Sequence, residues 1–256
     1  MTGEEAIRAK GWAEDYPKGA QIEPHSHVSH QIVHAATGVM RIASRGGTWI
    51  VPPGRALWMP AGVVHSIACI GAVAMRTVYL RGGHPAFPAD CTVWTVSPLM
   101  RELILRMVGQ PDPLLVPPLL SLLIAEIGNV ESVPLHIPEP TDPRLRRVTA
   151  TLLTEPARER PIAALAKDAA MSTRTFIRRF HLETGMTLRQ WRRQARLLLA
   201  LERLGAGVSV SDAAFDVGYS SASAFVHAFR GSLGTTPGRY FSGGGGRLNR
   251  ERSARP

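Results

Sequence analysis

Between Gly19 and Leu80 the apolar positions come in short runs that alternate with polar ones and are broken by Gly and Pro. Gln31–Ala36, Val39–Ala43, Thr48–Val51, Ala56–Met59, His65–Ile70 and Val73–Leu80 read as strands. Turns are expected at Thr37-Gly38, Gly46-Gly47, Pro52-Pro53-Gly54 and Ala61-Gly62. Short strands at such close spacing predict a small β-barrel or sandwich. Beyond Pro98 the period becomes helical: Leu99, Leu103 and Met107 share one face, as do Leu119, Leu122, Leu123 and Ile127 after a proline-containing break at Gln110–Pro118. These striped helices either cover the strands or form a dimer interface. Val133–Pro143, with Pro134, Pro138, Pro140 and Pro143, reads as an interdomain linker, and the chain is then helical to about Phe241. Ser242–Pro256, with Gly243–Gly246 and scattered arginines, is expected to be a disordered basic tail.

The helical half carries one pattern twice. In Ile162–Phe180, IAALAKDAAMSTRTFIRRF, a first helix buries Ile162, Leu165 and Ala166, and Ala170-Met171-Ser172 forms a tight turn. Ser172 is placed to cap the next helix by accepting a backbone N–H bond. Phe176, Ile177 and Phe180 are expected inward, leaving Thr173, Arg174, Thr175, Arg178 and Arg179 outside, the arrangement that presents a recognition helix to a major groove. Val210–Phe229, VSDAAFDVGYSSASAFVHAF, repeats the order. Val210, Ala213, Ala214 and Val217 form the first helix, Gly218 the turn and Ser220 the cap; Phe225 and Phe229 face inward, and Ser221, Ser223, His227 and Arg230 outward. Between the two units Thr187–Leu204 reads as one helix with Trp191, Ala195, Leu198, Leu199 and Leu201 apolar. Arg189, Arg192, Arg193 and Arg196 form a largely solvated face. About 18 residues span about 27 Å, enough to hold two recognition helices in successive major grooves about 34 Å apart.

Charge separates the halves. Of 256 residues, the first 140 hold 10 Lys and Arg against 11 Asp and Glu, whereas the rest hold 20 against 9. A basic field confined to one half suits phosphate neutralisation; charge alone is equally compatible with a merely soluble basic surface or an anionic membrane. Cys69 and Cys91 form no CxxC pair, which removes a disulfide framework and a cysteine zinc site. With neither an apolar signal core nor a run long enough to span a bilayer, a cytoplasmic protein without membrane partners is expected.

The C-terminal half resembles the DNA-binding domain of the AraC family of bacterial regulators. Leu165-Ala166, MSTRTFIRRF at Met171–Phe180, Thr184-Gly185, the RQARLLLA helix, DVGYSSASAFVHAF at Asp216–Phe229, Gly234, Thr236-Pro237 and Tyr240 carry the likeness, over roughly residues 145–241. The resemblance implies base contacts from Thr173, Arg174 and Arg178 and from Ser221, Ser223 and His227, with Arg179 and Arg230 on phosphates. Ser172, Thr175 and Ser220 complete the expected DNA-facing set. It further implies a double-stranded operator, a small-molecule effector, a candidate homodimer and, for an activator, RNA polymerase.

The N-terminal half resembles cupins. Gly19, His25, His27, Gln31 and Gly38, then Gly54, Pro60, Gly62 and His65, match the spacing of the two cupin motifs. Alternate residues of a strand point one way, so His25 and His27 share a face that His65 can approach, a plausible site for a divalent metal. Gln31 stands where metal-binding cupins have Glu, and Cys69 where Asn is frequent; both argue against an oxygen-activating enzyme. The metal set is therefore His25, His27, Gln31 and His65, and the expected effector pocket is His25, His27, Trp49, Trp58 and His65. Without metal, the same histidines would hydrogen-bond each other or a ligand; for Trp49 and Trp58, core packing is the alternative to lining the pocket.

The predicted fold is α+β: a cupin-like barrel over residues 1–95, a helical and candidate dimerisation segment over 96–132, a linker over 133–143, an all-α DNA-binding domain with two helix-turn-helix units over 144–241, and a tail over 242–256. The function expected is an effector-responsive, sequence-specific transcription regulator. A metal-dependent cupin enzyme with an accessory DNA-binding domain is the alternative, separated by metal analysis. A non-specific nucleic-acid binder is the third reading, separated by discrimination between operator and random DNA.

Overall fold

Two long antiparallel strands organise the N-terminal half of the computed structural model, which describes residues 7–245. β1 (Arg8–Tyr16) and β2 (Gln21–His25) pair along one edge of β6 (His65–Arg81), whose other edge pairs with β3 (His30–Ser44). Beyond β3, β5 (Arg55–Met59) and then β7 (Thr92–Thr95) continue the sheet. Four expected strands thus merge into β3 and β6. Thr37-Gly38 is a bulge in a continuous strand, marked by register shifts between Ala35, Thr37 and Val39, and it bends the pair without ending it. Gly38 has φ +76, and a Cβ there would lie 2.3 Å from the Ala72 carbonyl oxygen, so only glycine fits. Strands β1 and β7 were not anticipated; the inward residues of β1 include only small Ala9 and Gly11 and give little hydrophobic signal. The strand expected to carry both His25 and His27 is β2, which ends at His25, so His27 lies beyond it.

One face of this sheet carries Ile32, Trp58, Val78, Leu80 and Trp94, packed beneath α1 (Pro98–Val108) and α2 (Val116–Gly128) through Met100, Leu103, Ile104, Met107, Leu120, Leu123 and Ile127. Each such side chain taken from water contributes about 1.5–3 kcal/mol. The helical stripes are therefore used largely on the sheet. Leu99 and Leu122 lie off this seam and are half exposed.

The chain divides into two units: residues 1–44 with 51–134, and residues 45–50 with 135–256. In the second, β4 (Gly47–Val51) pairs with β8 (His136–Pro138), Gly47 opposite Pro138 and Trp49 opposite His136. The segment expected to be a linker with little to pack is thus ordered in part as a strand. Leu135 is fully buried, and the His136 ring stacks on Trp49 at 4.4 Å. Gly47 admits this pairing because a Cβ there would sit 2.1 Å from the Ile137 carbonyl oxygen.

The helices that follow are α3 (Pro143–Thr154), α4 (Ile162–Asp168), α5 (Thr173–Thr184), α6 (Leu188–Gly205), α7 (Val210–Asp216), α8 (Ala222–Leu233) and α9 (Pro237–Gly245). Ser242–Gly245, expected in a disordered tail, belong to α9, which Tyr240 anchors edge-on to Phe229 at 5.8 Å. The remainder of that expected tail, residues 246–256, lies outside the described residues. Among the described residues no helix is long and apolar enough to cross a membrane.

Candidate DNA-reading surface and effector cleft

The first helix-turn-helix closes around small residues. Leu165 and Ala166 of α4 are buried, Ala170 takes φ 51 in the turn, and Met171 N–H donates to the Ala166 carbonyl at 2.9 Å. Ser172 Oγ then accepts from Thr175 N–H at 3.2 Å and starts α5. Phe176 and Phe180 are buried and stacked 5.8 Å apart, with Phe180 edge-on to Trp191 at 6.0 Å. Ile177, expected inward beside them, is 50% exposed. At 3.6 residues per turn the core is met at i and i+4, whereas i+1 swings about 100° away. Arg174 and Arg178 are exposed and make no hydrogen bond or ion pair with any described residue, and Thr173 and Thr175 are half-buried. Arg179, expected on phosphate, donates through Nη1 to Asp142 Oδ2 at 2.6 Å. The Asp142 carboxylate, with its side chain only 7% exposed, also accepts from the Arg144 guanidinium and from Arg144 N–H at the start of α3. Those bonds hold it well below the usual carboxylate range.

In the second unit Ala213 and Ala214 are buried, and Gly218 and Tyr219 N–H groups close α7 onto the Phe215 and Ala214 carbonyls. Because the turn takes up Tyr219, whose ring meets Phe225 at 5.4 Å, α8 begins later than expected. Its cap is Ser221, accepting from Ala224 N–H at 3.2 Å, and the assignment of the cap to Ser220 is corrected. Phe225 and Phe229 are buried, whereas Ser220, Ser221, Ser223, His227 and Arg230 are exposed.

Helix α6 joins the units. Thr187 and Gln190 form a reciprocal capping box at its start, and Trp191, Ala195, Leu198 and Leu201 are buried. Leu199 is half-buried, and Arg189 and Arg193 are exposed. The expectation of a solvated arginine face fails for Arg192 and Arg196, whose side chains are only 15% and 18% exposed. They donate to the Arg158 and Pro156 carbonyls and, from Arg196, to Glu159 at 2.7 Å, bracing the chain between α3 and α4. Sequence reading missed this because their targets are loop carbonyls, which carry no side-chain signal.

In the sheet unit His25, His27 and His65 converge, with one ligand atom from each lying within 4.8 Å of the others. His25 Nδ1 lies 2.7 Å from the Glu23 carbonyl and His65 Nδ1 3.0 Å from the Val63 carbonyl. A carbonyl only accepts, so both Nδ1 atoms carry the proton and each Nε2 keeps its lone pair. The Nε2 atoms of His27 and His65 and the Oε1 of Gln31 are buried without a hydrogen-bond partner. Burial, reinforced by the neighbouring imidazoles, lowers the His27 and His65 pKa values and favours the neutral rings a metal requires. The donor set fits a divalent metal held by three imidazoles, two of them, His25 and His65, with rings oriented by backbone carbonyls, and Gln31 is a weak neutral neighbour. Its Nε2 donates to the Tyr79 hydroxyl at 3.3 Å, and Tyr79 lies edge-on to His27 at 4.9 Å.

The tryptophans expected in the pocket lie elsewhere. Trp58 packs in the core beneath α1 and α2 and donates to the Pro88 carbonyl, and Trp49 stacks on His136. His30 and His34 also stand apart from the cluster: His30 stacks on Trp58 at 5.1 Å, and His34 bonds the Arg55 carbonyl. A cleft of about 500 Å³ opens instead beside His27, lined by Arg8, Lys10, Trp12, Tyr79 and Arg81. None of these residues was singled out from the sequence; the signal that could have found them is the alternation of Arg8, Lys10 and Trp12 along β1.

A sheet domain followed by a C-terminal pair of helix-turn-helix units has the layout of a DNA-binding regulator. The AraC-like ligand binding domain model matches residues 12–124 and a helix-turn-helix domain model matches residues 165–243. The HTH-type transcriptional regulator NimR of Escherichia coli (strain K12) is 32% identical over 222 residues, 85% of this chain and 81% of that protein. RipA of Corynebacterium diphtheriae, also an HTH-type transcriptional regulator, is 30% identical over 59% of this chain and 42% of its own. Among solved structures, the DNA-binding domain of AdpA in complex with a target DNA is 35% identical over 39% of this chain and 91% of that chain, with a TM-score of 0.37. The chain belongs to the AraC family: it is a helix-turn-helix transcription regulator with an N-terminal ligand-binding domain.

Proposed function

We propose that α5 and α8 enter successive major grooves of an operator, with α6 setting their separation, and that a small molecule bound to the sheet domain biases this engagement. The observation that carries the reading is the pair of exposed, unpaired guanidiniums of Arg174 and Arg178 on a helix whose opposite side is fixed by Phe176 and Phe180. Thr173, Thr175, Ser223, His227 and Arg230 complete the reading surface, while Ser172 and Ser221 hold the helix starts. Arg179 serves the linker-side ion pair with Asp142, and its phosphate contact requires that pair to open.

An effector acts only through differential affinity for the arrangements the protein samples. His25, His27 and His65 hold a divalent metal in this reading, as a fixed part of the ligand site; the metal would supply an electrophilic point for a donor atom of the effector. The chain works as a regulator in the cytoplasm and catalyses no reaction. It pairs into a homodimer through the outer sides of α1 and α2, where Leu99 and Leu122 are half exposed, and meets RNA polymerase where it activates.

The test is fluorescence anisotropy of the full chain on a duplex selected from random sequence, with random duplex as competitor, at several salt concentrations. Preference for the selected duplex by about 10³-fold or more supports the reading, and equal affinity for all duplexes overturns it.

A further inference from the structure

The cleft beside His27 has a chemistry of its own. Arg8, Lys10 and Trp12 alternate along β1, and the register places Arg8 opposite Arg81 and Lys10 opposite Tyr79 on β6. Val78 and Leu80 pack toward α1 and α2 and alternate along β6 with Tyr79 and Arg81, which line the cleft with Arg8, Lys10 and Trp12; Ala9, Val28 and Ser29 complete its lining, and Arg8 also borders the concavity beside α2. Among the described residues, no carboxylate pairs with Arg8, Lys10 or Arg81. Glu14, further along β1, accepts from the Trp12 indole N–H at 3.1 Å and interacts with the Tyr16 hydroxyl. Residues 1–140 carry slightly more acid than base, so gathering three cations at one concavity is not a by-product of a basic domain.

From this we infer that the cleft binds an organic anion with a flat apolar body, of the aryl carboxylate class. The inference rests on the effector-sensing reading of the sheet domain and deepens it. The cations supply positive charge that no described carboxylate pairs with, and an anion in the cleft would meet it. The Trp12 ring, 48% exposed, supplies a flat wall, with the Lys10 ammonium 5.9 Å from its centroid. The Tyr79 hydroxyl accepts from Gln31 Nε2 and keeps its own proton to donate, and the buried His27 Nε2 has no partner. At about 500 Å³ the concavity suits a small molecule and excludes a duplex.

The test is isothermal titration of the full chain with 2-naphthoate and, as its uncharged counterpart, 2-naphthamide, for the wild type and a Lys10→Gln/Arg81→Gln variant. Naphthoate should bind at least about tenfold tighter than naphthamide, and the variant should lose that margin while its naphthamide affinity and thermal unfolding stay unchanged. Equal binding of the two probes, naphthoate affinity indifferent to the double substitution, or naphthoate binding weaker than about 1 mM each overturns the assignment. A Trp12→Leu variant supplies a second reading: loss of naphthoate affinity with intact unfolding supports the flat wall, and unchanged affinity overturns it. The effector-sensing reading has a separate measure. An uncharged compound that shifts operator affinity while leaving naphthoate unbound would preserve the sensor and remove only the anion class.

Discussion

Replacing Arg174 by Ala separates base reading from mere phosphate attraction. The side chain is exposed and unpaired among the described residues, so its removal should change folding stability by no more than about 0.5 kcal/mol. The whole effect then appears in DNA binding. A bidentate contact with a guanine edge is worth about 1–3 kcal/mol of discrimination, which corresponds to a loss of about 5- to 150-fold on the selected duplex. Affinity for random duplex should fall far less, so the specificity ratio drops. Anisotropy titrations of wild type and Arg174→Ala on both duplexes, at matched salt, read the two quantities together. If Arg174 contacts phosphate instead, both affinities fall by the same factor and the salt slope decreases by about one; that result would refute the base-reading role. Unchanged affinity on both duplexes would remove α5 from the DNA altogether. Arg179→Ala is the internal comparison: it breaks the ion pair with Asp142, so its effect should appear in thermal unfolding as well as in binding.

Three further outcomes follow from the packing. Phe176→Ala should cost about 3–5 kcal/mol in denaturant unfolding and Ile177→Ala far less, because the first is fully buried and the second half exposed; similar losses would mean that the face of α5 has been misread. Ser221→Ala should destabilise the DNA-binding unit by about 1 kcal/mol, whereas Ser220→Ala should stay within about 0.5 kcal/mol, as the cap hydrogen bond belongs to Ser221 alone; thermal unfolding of the two variants decides. Asp142 has a folded pKa depressed by Arg144 and Arg179, so it contributes stability above its unfolded pKa of about 3.9 and loses it as pH falls toward the folded value. Asp142→Asn should abolish that part of the acid dependence, and an unaltered acid limb of the unfolding curve in the variant would contradict the assignment.

The two halves differed in how much their sequences disclosed, for reasons visible in particular residues. Helix-turn-helix units are local: cap, turn and apolar pair fall within about twenty residues, so the units were legible together with Ser172, Phe176, Phe180, Phe225 and Phe229. What escaped was set by angle and by long-range partners. Ile177 is next in sequence to a core residue yet lies far round the helix, and Arg192 and Arg196 find backbone carbonyls more than thirty residues away. In the sheet unit, motif spacing singled out His25, His27 and His65, which the structure brings together, although not by the strand alternation expected: β2 ends at His25, and His27 approaches from the loop that follows. Sequence reading failed for Trp49 and Trp58, because aromatic content does not say which face of a strand is covered. Only the placement of α1 and α2 on the sheet decides that Trp58 is core, and the pairing of β8 with β4 decides that Trp49 meets His136.

That pairing also changes what the segment between the sheet strands and the DNA-reading helices can do. Here the segment is held at successive points within the second unit. Trp49 stacks on His136, the Trp191 indole donates to the Pro138 carbonyl at 2.9 Å, and Glu183 accepts from Thr141 and Asp142 N–H groups at 2.9 and 2.8 Å. Glu183 lies on α5 and Trp191 on α6, so the segment is tied to a recognition helix and to the helix that spaces the two recognition helices. Strand β4 follows β3 in the chain, and a displacement of β4 would therefore reach α5 and α6 through directional hydrogen bonds.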